Sequence, residues 1–139
     1  MVPQTKENSM NMLKKAGIAC VSAAAILAAS AGTASAVSVD EYDDVKYVWC
    51  TDSGADVQIE NTNAYGGTED GTFRLSGRIG DGTRSCGWQT FNAGDDVSYV
   101  STWITDEDGG YVYCAIYLDG VLVAKSEDTS DYYSFTGCY

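Results

Sequence analysis

The sequence predicts an all-β fold, a β-sandwich of about seven short antiparallel strands, and three observations support this prediction. Past the N-terminal segment, apolar residues alternate with polar residues more often than they recur at helical spacing. Turn residues, chiefly glycine and aspartate, divide the chain at nearly regular intervals. Residues 37–139 contain no proline and no convincing helical pattern. A small closed barrel is the alternative architecture.

The first 36 residues have the pattern of a secretory signal peptide. Lys14 and Lys15 precede an alanine-rich apolar stretch, which ends in the small residues at 34–36. This stretch is shorter than the roughly 20 apolar residues that a membrane-spanning helix needs. We therefore expect cleavage before Val37, no stable membrane insertion afterwards, and a mature protein that is secreted or held in the cell envelope.

Residues 37–139 form a single predicted domain, because the 103 residues left after cleavage suffice for one hydrophobic core. This segment contains 5 of the 8 basic residues and 19 of the 20 acidic residues, so its formal charge is −14. Such a charge repels nucleic acid and anionic lipid headgroups, and we expect no nucleic-acid partner. An acidic surface commonly serves solubility, and a docking face for a basic partner is the alternative interpretation.

Four of the five cysteines lie in the predicted mature domain: Cys50, Cys86, Cys114 and Cys138. An even number of cysteines in an exported domain of this size predicts two structural disulfides. Three connectivities are open, and we favour Cys50–Cys86 together with Cys114–Cys138. The chain has no Cys-x-x-Cys spacing and no histidine, so we expect no zinc site and no cofactor.

Short alternating runs predict the strands of the first half of the domain. Residues 45–49 and 57–59 each place apolar side chains on one face, and residues 73–75 form a third short run. The glycine-rich segment 76–87 predicts either a strand pair or a mobile loop. Residues 97–104 carry apolar side chains on both faces, which predicts a strand covered on both sides.

The clearest local signal is a hairpin in the last third of the chain. Apolar runs at 111–118 and 121–124 are joined by Asp119-Gly120, which predicts a type I′ turn with positive φ at both residues. A second turn is expected at 106–110, before this hairpin. The last strand is expected at 132–138, with Tyr133 and Phe135 on one side.

The residues give no support for catalysis, and we expect a protein that is not an enzyme. A nucleophilic serine or cysteine needs a positioned base, usually histidine, and the chain has none. Paired carboxylates could hydrolyse glycosides, but no spacing singles out a pair among the acidic residues. The acidic run at 106–110 departs from the order of a calcium-binding EF-hand loop, so we expect a charged turn.

Aromatic residues are numerous, with 10 tyrosines and 3 tryptophans in the chain. On a sheet face they can bind sugars, lipids or proteins, but the alternation indicates that most of them lie in the core. The tryptophans are expected to be buried near the disulfides: Trp49, Trp88 and Trp103. The tyrosines beside turns or the C-terminus are expected to be exposed: Tyr65, Tyr132 and Tyr139.

The mature segment resembles the MmpS family of actinobacterial transport accessory proteins and their small secreted relatives. The matching residues are ADVQI at 55–59, GGTE at 66–69 after Asn63, Gly87-Trp88 with Phe91 following, residues 97–101, and VYCAIYLDG at 112–120 with Cys138 near the end. The most specific part is Cys-x-Ile-x-x-Asp-Gly followed by a terminal cysteine. Together the matches extend over nearly all of residues 37–139.

The resemblance implies an immunoglobulin-like β-sandwich in which Cys114 and Cys138 form the shared disulfide. It also implies a periplasmic or cell-surface role, since the best-known members assist a membrane transporter that exports lipids and siderophores. This chain departs from the family in losing its apolar segment and in having Gly87 where proline is usual before the tryptophan. Cys50–Cys86 would be an added crosslink. No catalytic residues come with the family.

These observations lead to two functional hypotheses of different kinds. The first is a secreted, non-enzymatic accessory or binding module of the MmpS-like type, with a protein or lipid partner in the cell envelope or outside the cell. The alternative is a secreted inhibitor or effector that presents the glycine-rich loop 76–87, in which Arg78 and Arg84 are rare basic residues.

Overall fold

The computed structural model describes residues 36–52, 54–79 and 82–139. The predicted signal peptide lies outside these ranges except for its last residue, Ala36. The described residues form eleven strands, and they contain no helix, so the all-β prediction is confirmed. In particular, these ranges include no helix long and apolar enough to cross a membrane.

The eleven strands exceed the expected number of about seven, and three of the eleven have only two or three residues. In chain order they are β1 (Val37–Ser38), β2 (Asp44–Thr51), β3 (Asp56–Thr62), β4 (Thr68–Arg74), β5 (Gly77–Ile79), β6 (Arg84–Asn92), β7 (Tyr99–Val100), β8 (Thr102–Asp106), β9 (Gly110–Leu118), β10 (Val121–Ser130) and β11 (Ser134–Cys138).

Two antiparallel sheets enclose the core. The five-stranded sheet has the order β10-β9-β2-β6-β5, the four-stranded sheet has the order β11-β8-β3-β4, and β1 pairs with β7. Side chains alternate along the strands, so Val45, Tyr47 and Trp49 of β2 share one buried cluster with Val57 and Ile59 of β3. The core therefore lies between the sheets, in a sandwich-like arrangement.

Both favoured disulfides are present. Cys50–Cys86 joins directly opposed residues of β2 and β6 within the five-stranded sheet. Cys114–Cys138 joins β9 of the five-stranded sheet to β11 of the four-stranded sheet, and both cysteines are buried. Two intramolecular disulfides suggest an oxidising, extracellular-type environment.

Two stretches that the sequence left ambiguous are now defined. In the segment 76–87, β5 and the start of β6 form an antiparallel strand pair, which decides between the two expected forms. The predicted strand at 97–104 divides into β7 and β8 on either side of Ser101. The expectation that it is covered on both faces is wrong, because Val100 and Ile104 are buried while Tyr99 is 61% exposed.

The predicted hairpin and its turn are confirmed. Asp119 and Gly120, which connect β9 to β10, have φ values of 49° and 80°, as a type I′ turn requires. The expected turn at 106–110 joins β8 to β9, and Gly109 there has a φ of 79°. The last strand is slightly shorter than expected, since it begins at Ser134.

These two glycines allow a matched stability test. An added Cβ at Gly109 would collide with the backbone carbonyl of Asp131 and lie 2.6 Å from the Ser130 carbonyl oxygen, whereas at Gly120 it would meet nothing within 4 Å. Gly120→Ala is expected to cost about 1 kcal/mol of unfolding free energy, for the left-handed backbone alone. Gly109→Ala is expected to cost about 3 kcal/mol, because the collision adds to that strain.

Chemical denaturation of both variants measures the difference. Equal losses in the two variants would show that the packing of the 106–110 turn against the β10–β11 connection is not tight.

Candidate functional site

The sandwich is closed along one side and open along the other. On the closed side, β10 and β11 are linked by hydrogen bonds from Thr136 Oγ1 to Ser126 Oγ (2.7 Å) and from the Phe135 amide to Asp128 Oδ2 (3.0 Å). On the open side, β4 is the last strand of the four-stranded sheet. Facing it, β5 pairs with residues 84–86 of β6, and no other strand of the described residues lies beside the remainder of β6 on that side.

A cleft of about 630 Å³ lies on this open side, and we name it the edge cleft. Its apolar lining includes three buried side chains, Trp49, Ile59 and Leu75, and two exposed aromatic side chains, Phe73 and Trp88. Polar lining comes from five further residues: Asn61, Glu69, Arg74, Ser76 and Gln89. A cavity of this size, largely apolar with a few polar groups, is typical of a ligand site.

Glycines make room for the aromatic side chains of the edge cleft. The Phe73 ring lies over Gly71 of its own strand, where a Cβ would be 3.0 Å from the ring atoms Cε2 and Cζ. The Trp88 ring lies over Gly77 on the neighbouring strand, where a Cβ would be 3.2 Å from Cζ3. The Phe73 ring therefore lies on the inner face of the four-stranded sheet, whereas the Trp88 ring lies on the outer face of the five-stranded sheet, at the edge where the cleft opens to solvent.

Gly87 makes room for Leu75, a buried side chain that lines the cleft. A Cβ at this position would lie 2.8 Å from Leu75 Cδ2, so the absence of a side chain lets Leu75 pack against β6. Leu75 follows β4 directly and is only 6% exposed. Gly87 thus makes room for Leu75 at the point where the chain crosses from the four-stranded sheet to the five-stranded sheet.

The tryptophans occupy three different environments. Trp49 is 5% exposed and confirms the expectation of burial, and Trp103 is partly buried. The prediction that Trp88 is buried is wrong, because its side chain is 62% exposed. Because Gly87 has no side chain, the alternation of β6 is not evident in the sequence. In the structure Trp88 lies on the outer face of the sheet, as does Cys86. Tyr65, Tyr132 and Tyr139 are exposed, as expected.

The sequence analysis did not identify Phe73 and Trp88 as site residues. For Phe73 the available signal was Gly71, two positions earlier in the same strand. Trp88 had no such signal, because its ring lies over Gly77 on the neighbouring strand and its own neighbour Gly87 is on the opposite face. Glycine inside a strand marks close approach of other groups, and an aromatic residue two positions away shares its face.

A second cavity of about 540 Å³ lies on the outer face of the four-stranded sheet, and we name it the outer groove. Asp70, Glu60 and Trp103 form one cross-strand row in it, since Glu60 is directly opposite both of the others. Like charges directly opposite each other destabilise a sheet. In the described part of the chain the only ion pair is Arg74–Asp56 at 3.0 Å, so neither carboxylate of this row has a salt-bridge partner there.

The aromatic wall of the outer groove is a stack of three rings. Trp103 lies over Gly137, where a Cβ would collide with the indole. Phe135 stacks on Trp103 with ring centroids 5.2 Å apart, and Tyr139 contacts Trp103 at 4.9 Å. Because Phe135 and Tyr139 lie two residues before and after Gly137, the indole is enclosed from both sides. It offers an edge to the groove and no free face for stacking a planar ligand.

Arg84 packs against Tyr111 on the outer face of the five-stranded sheet. Its guanidinium lies 3.7 Å from the centre of the Tyr111 ring, and the Tyr111 hydroxyl donates a hydrogen bond to Glu127 Oε2 at 2.9 Å. Burial and this hydrogen bond raise the pKa of Tyr111 to about 12, while Arg84 opposes the shift. Arg84 therefore packs against the sheet, although its side chain stays exposed.

The acidic turn at 106–110 uses its carboxylates for local structure. The Asp108 amide donates a hydrogen bond to Asp106 Oδ1 at 3.0 Å, and Asp106 is only 2% exposed. Across residues 36–52, 54–79 and 82–139, no group of three or more histidine, cysteine, aspartate or glutamate side chains is arranged to hold a metal ion.

Comparison with known proteins adds no assignment to this geometry. No family model, no curated protein and no solved structure matches the chain.

Proposed function

We propose that the mature chain is an exported, non-enzymatic binding module that takes an apolar group of its partner into the edge cleft. The observation that carries this proposal is the position of Phe73 and Trp88, which are 50% and 62% exposed beside the buried floor of the cleft. Exposed aromatic side chains that are continuous with an apolar cavity mark binding surfaces in soluble proteins.

An immunoglobulin-like sandwich of the MmpS type is the fold that we propose for this module. Two antiparallel sheets joined by a disulfide are consistent with it. Trp49 is directly opposite Cys114 in the pairing of β2 with β9, and a buried tryptophan beside an inter-sheet disulfide is a feature of such domains.

The role that follows from the resemblance is assistance to envelope transport of lipids or siderophores. An apolar cleft suits the acyl part of such a ligand or an apolar segment of a protein partner. Because the mature chain carries a formal charge of −14, the polar part of the partner is expected to be neutral or cationic. The absence of histidine and the use of four cysteines in disulfides support a non-enzymatic role.

The alternative, an inhibitor or effector acting through residues 76–87, has less support. Arg78 and Arg84 are both exposed, but the Arg84 guanidinium packs on the Tyr111 ring, and this contact would have to break before Arg84 could bind a target.

A fluorescent apolar probe, N-phenyl-1-naphthylamine, tests the edge cleft. The probe is expected to bind the mature protein, and Phe73→Ala or Trp88→Ala is expected to weaken binding about tenfold. Burial of one aromatic side chain contributes about 1.5–3 kcal/mol, and 1.4 kcal/mol corresponds to a factor of ten. Titration by fluorescence measures the change.

Tyr65→Ala and Tyr132→Ala are the matched controls, since both remove exposed aromatic rings away from the cleft. They are expected to leave the affinity unchanged. An equal loss in the controls, or no loss in Phe73→Ala and Trp88→Ala, would contradict the assignment of the cleft.

A further inference from the structure

The strand β4 is an unpaired edge along its whole length. It pairs with β3 on one side, through residues 68–74, and within residues 36–52, 54–79 and 82–139 no strand pairs with its other side. Six of its seven residues are exposed, and the seventh, Gly71, has no side chain. An edge of this kind presents free backbone N–H and C=O groups to any extended segment that comes beside it.

The four-stranded sheet also has one strand fewer than the sheet that faces it. The place of the missing strand is at the edge cleft. There, residues 87–89 of β6 extend past β4, and no described strand of the four-stranded sheet covers them. One added strand on β4 would give both sheets five strands and would cover the cleft.

The two faces of β4 differ in chemistry. Glu69, Gly71 and Phe73 lie on the inner face, and of these Phe73 and Glu69 line the edge cleft, Phe73 with an apolar ring and Glu69 with a carboxylate. Asp70 and Thr72 point to the outer face and line the outer groove, where Asp70 lies opposite Glu60. Successive side chains of an added strand would enter these two environments in turn, because they alternate between the faces of a sheet.

We propose that β4 is the docking edge for an extended segment of a partner protein in which apolar residues alternate with lysine or arginine. The apolar side chains fill the edge cleft, and the basic side chains pair with Asp70 and Glu60 in the outer groove. This inference rests on the edge cleft being the binding site, as proposed above, and it names the class of its occupant.

Charge decides between the candidates for this edge. A second copy of the chain would bring its own Glu69 and Asp70 beside those of the first, and like charges on paired strands repel. A lipid would use the inner face alone and would leave the opposed carboxylates of Asp70 and Glu60 uncompensated. A basic, alternating segment satisfies both faces and the free backbone groups of β4 together.

The probe for this proposal is a capped heptapeptide, acetyl-Val-Lys-Val-Lys-Val-Lys-Val-amide, whose length matches the seven residues of β4. It is added to the mature protein at low ionic strength, and amide hydrogen exchange is followed by NMR. Amides of 68–74 that face the free edge are expected to become protected. A block isomer, acetyl-Val-Val-Val-Val-Lys-Lys-Lys-amide, is expected to bind at least about tenfold more weakly, because its residues do not match the two faces.

Two N-methylated peptides, one methylated at the odd positions and one at the even positions, test strand pairing directly. Along one edge of an antiparallel pair, only alternate residues donate hydrogen bonds to the neighbouring strand. One of the two methylated peptides is therefore expected to lose binding and the other to keep it. Equal behaviour of the two would overturn strand addition.

Asp70→Asn tests the outer groove, and Asp131→Asn is the control with the same change in net charge. Asp131 lies in the connection between β10 and β11, outside both cavities. Asp70→Asn is expected to weaken the heptapeptide about fivefold, as for one screened charge pair, and Asp131→Asn is expected to have no effect. Equal losses in both variants would show that only the overall charge matters, and would overturn the proposal.

The naphthylamine probe separates failure of this inference from failure of the proposed function. If the naphthylamine binds and the heptapeptide neither displaces it nor protects β4, the edge cleft remains the site and the strand proposal fails. Displacement of the naphthylamine by sodium laurate, in the same protein that ignores the peptide, would assign the cleft to an acyl chain. If neither the naphthylamine nor the peptide binds, both proposals fail.

Discussion

Replacing the four disulfide-bonded cysteines by alanine is expected to lower the free energy of unfolding by about 7 kcal/mol. The disulfides close loops with sequence separations of 36 and 24 residues. Each such loop contributes about 3.5–4 kcal/mol in the chain-entropy model. The two loops do not overlap, because one ends at Cys86 and the other begins at Cys114, so their contributions are expected to add.

The consequence is large on the scale of a small domain. A native domain is typically stable by about 5–15 kcal/mol, so the variant without disulfides is expected to be marginal or unfolded at 37 °C. Chemical denaturation of the Cys50→Ala/Cys86→Ala variant and the Cys114→Ala/Cys138→Ala variant gives each contribution separately. Each double variant is expected to remain folded. A double variant as stable as the parent protein would contradict the entropic account for that disulfide.

Local alternation accounts for the part of the fold that could be predicted. β2 and β3 were identified because Val45, Tyr47 and Trp49, and then Val57 and Ile59, point to one face at a period of two residues. The hairpin of β9 and β10 was identified because Asp119-Gly120 suits a type I′ turn. In each case the deciding interactions are within a few residues of one another.

The order of the strands depends on contacts that no local pattern contains. β2 lies between β6 and β9, which are about 40 and 65 residues away along the chain, and its register with both is set by packing. The environment of Trp88 follows from that register. Its neighbour Gly87 gives no hydrophobic signal for either face, so the sequence could not show that Trp88 points outward.

The edge cleft depends both on local alternation and on the order of the strands. Its lining comes from β2, β3, β4 and β6, and the cleft exists because the four-stranded sheet ends at β4 while β5 is short. The number of strands in each sheet depends on the whole topology, and no local sequence pattern reveals it. The composition did reveal that the surface is acidic. The structure adds that two of these charges, Asp70 and Glu60, are directly opposed, with no salt-bridge partner among the described residues.

Replacing Trp49 by alanine is expected to lower the free energy of unfolding by about 4 kcal/mol, as for other large core aromatics. The Trp49 indole Nε1 donates a hydrogen bond to Thr102 Oγ1 at 2.8 Å, and Thr102 Oγ1 donates one to the Glu60 carbonyl oxygen at 3.0 Å. This relay connects β2 of the five-stranded sheet to β8 and β3 of the four-stranded sheet. Trp49→Ala therefore removes a buried ring and also breaks the hydrogen-bonded link between the sheets.

Trp88→Ala is the matched control, because it removes the same side chain from an exposed position. Its cost in unfolding free energy is expected to be below about 1 kcal/mol, as for surface substitutions, while its effect on the naphthylamine probe is expected to be large. Denaturation curves and probe titrations of both variants separate stability from binding. A Trp88→Ala variant as destabilised as Trp49→Ala would mean that Trp88 belongs to the core, and the edge cleft would then lose one of its two exposed aromatic walls.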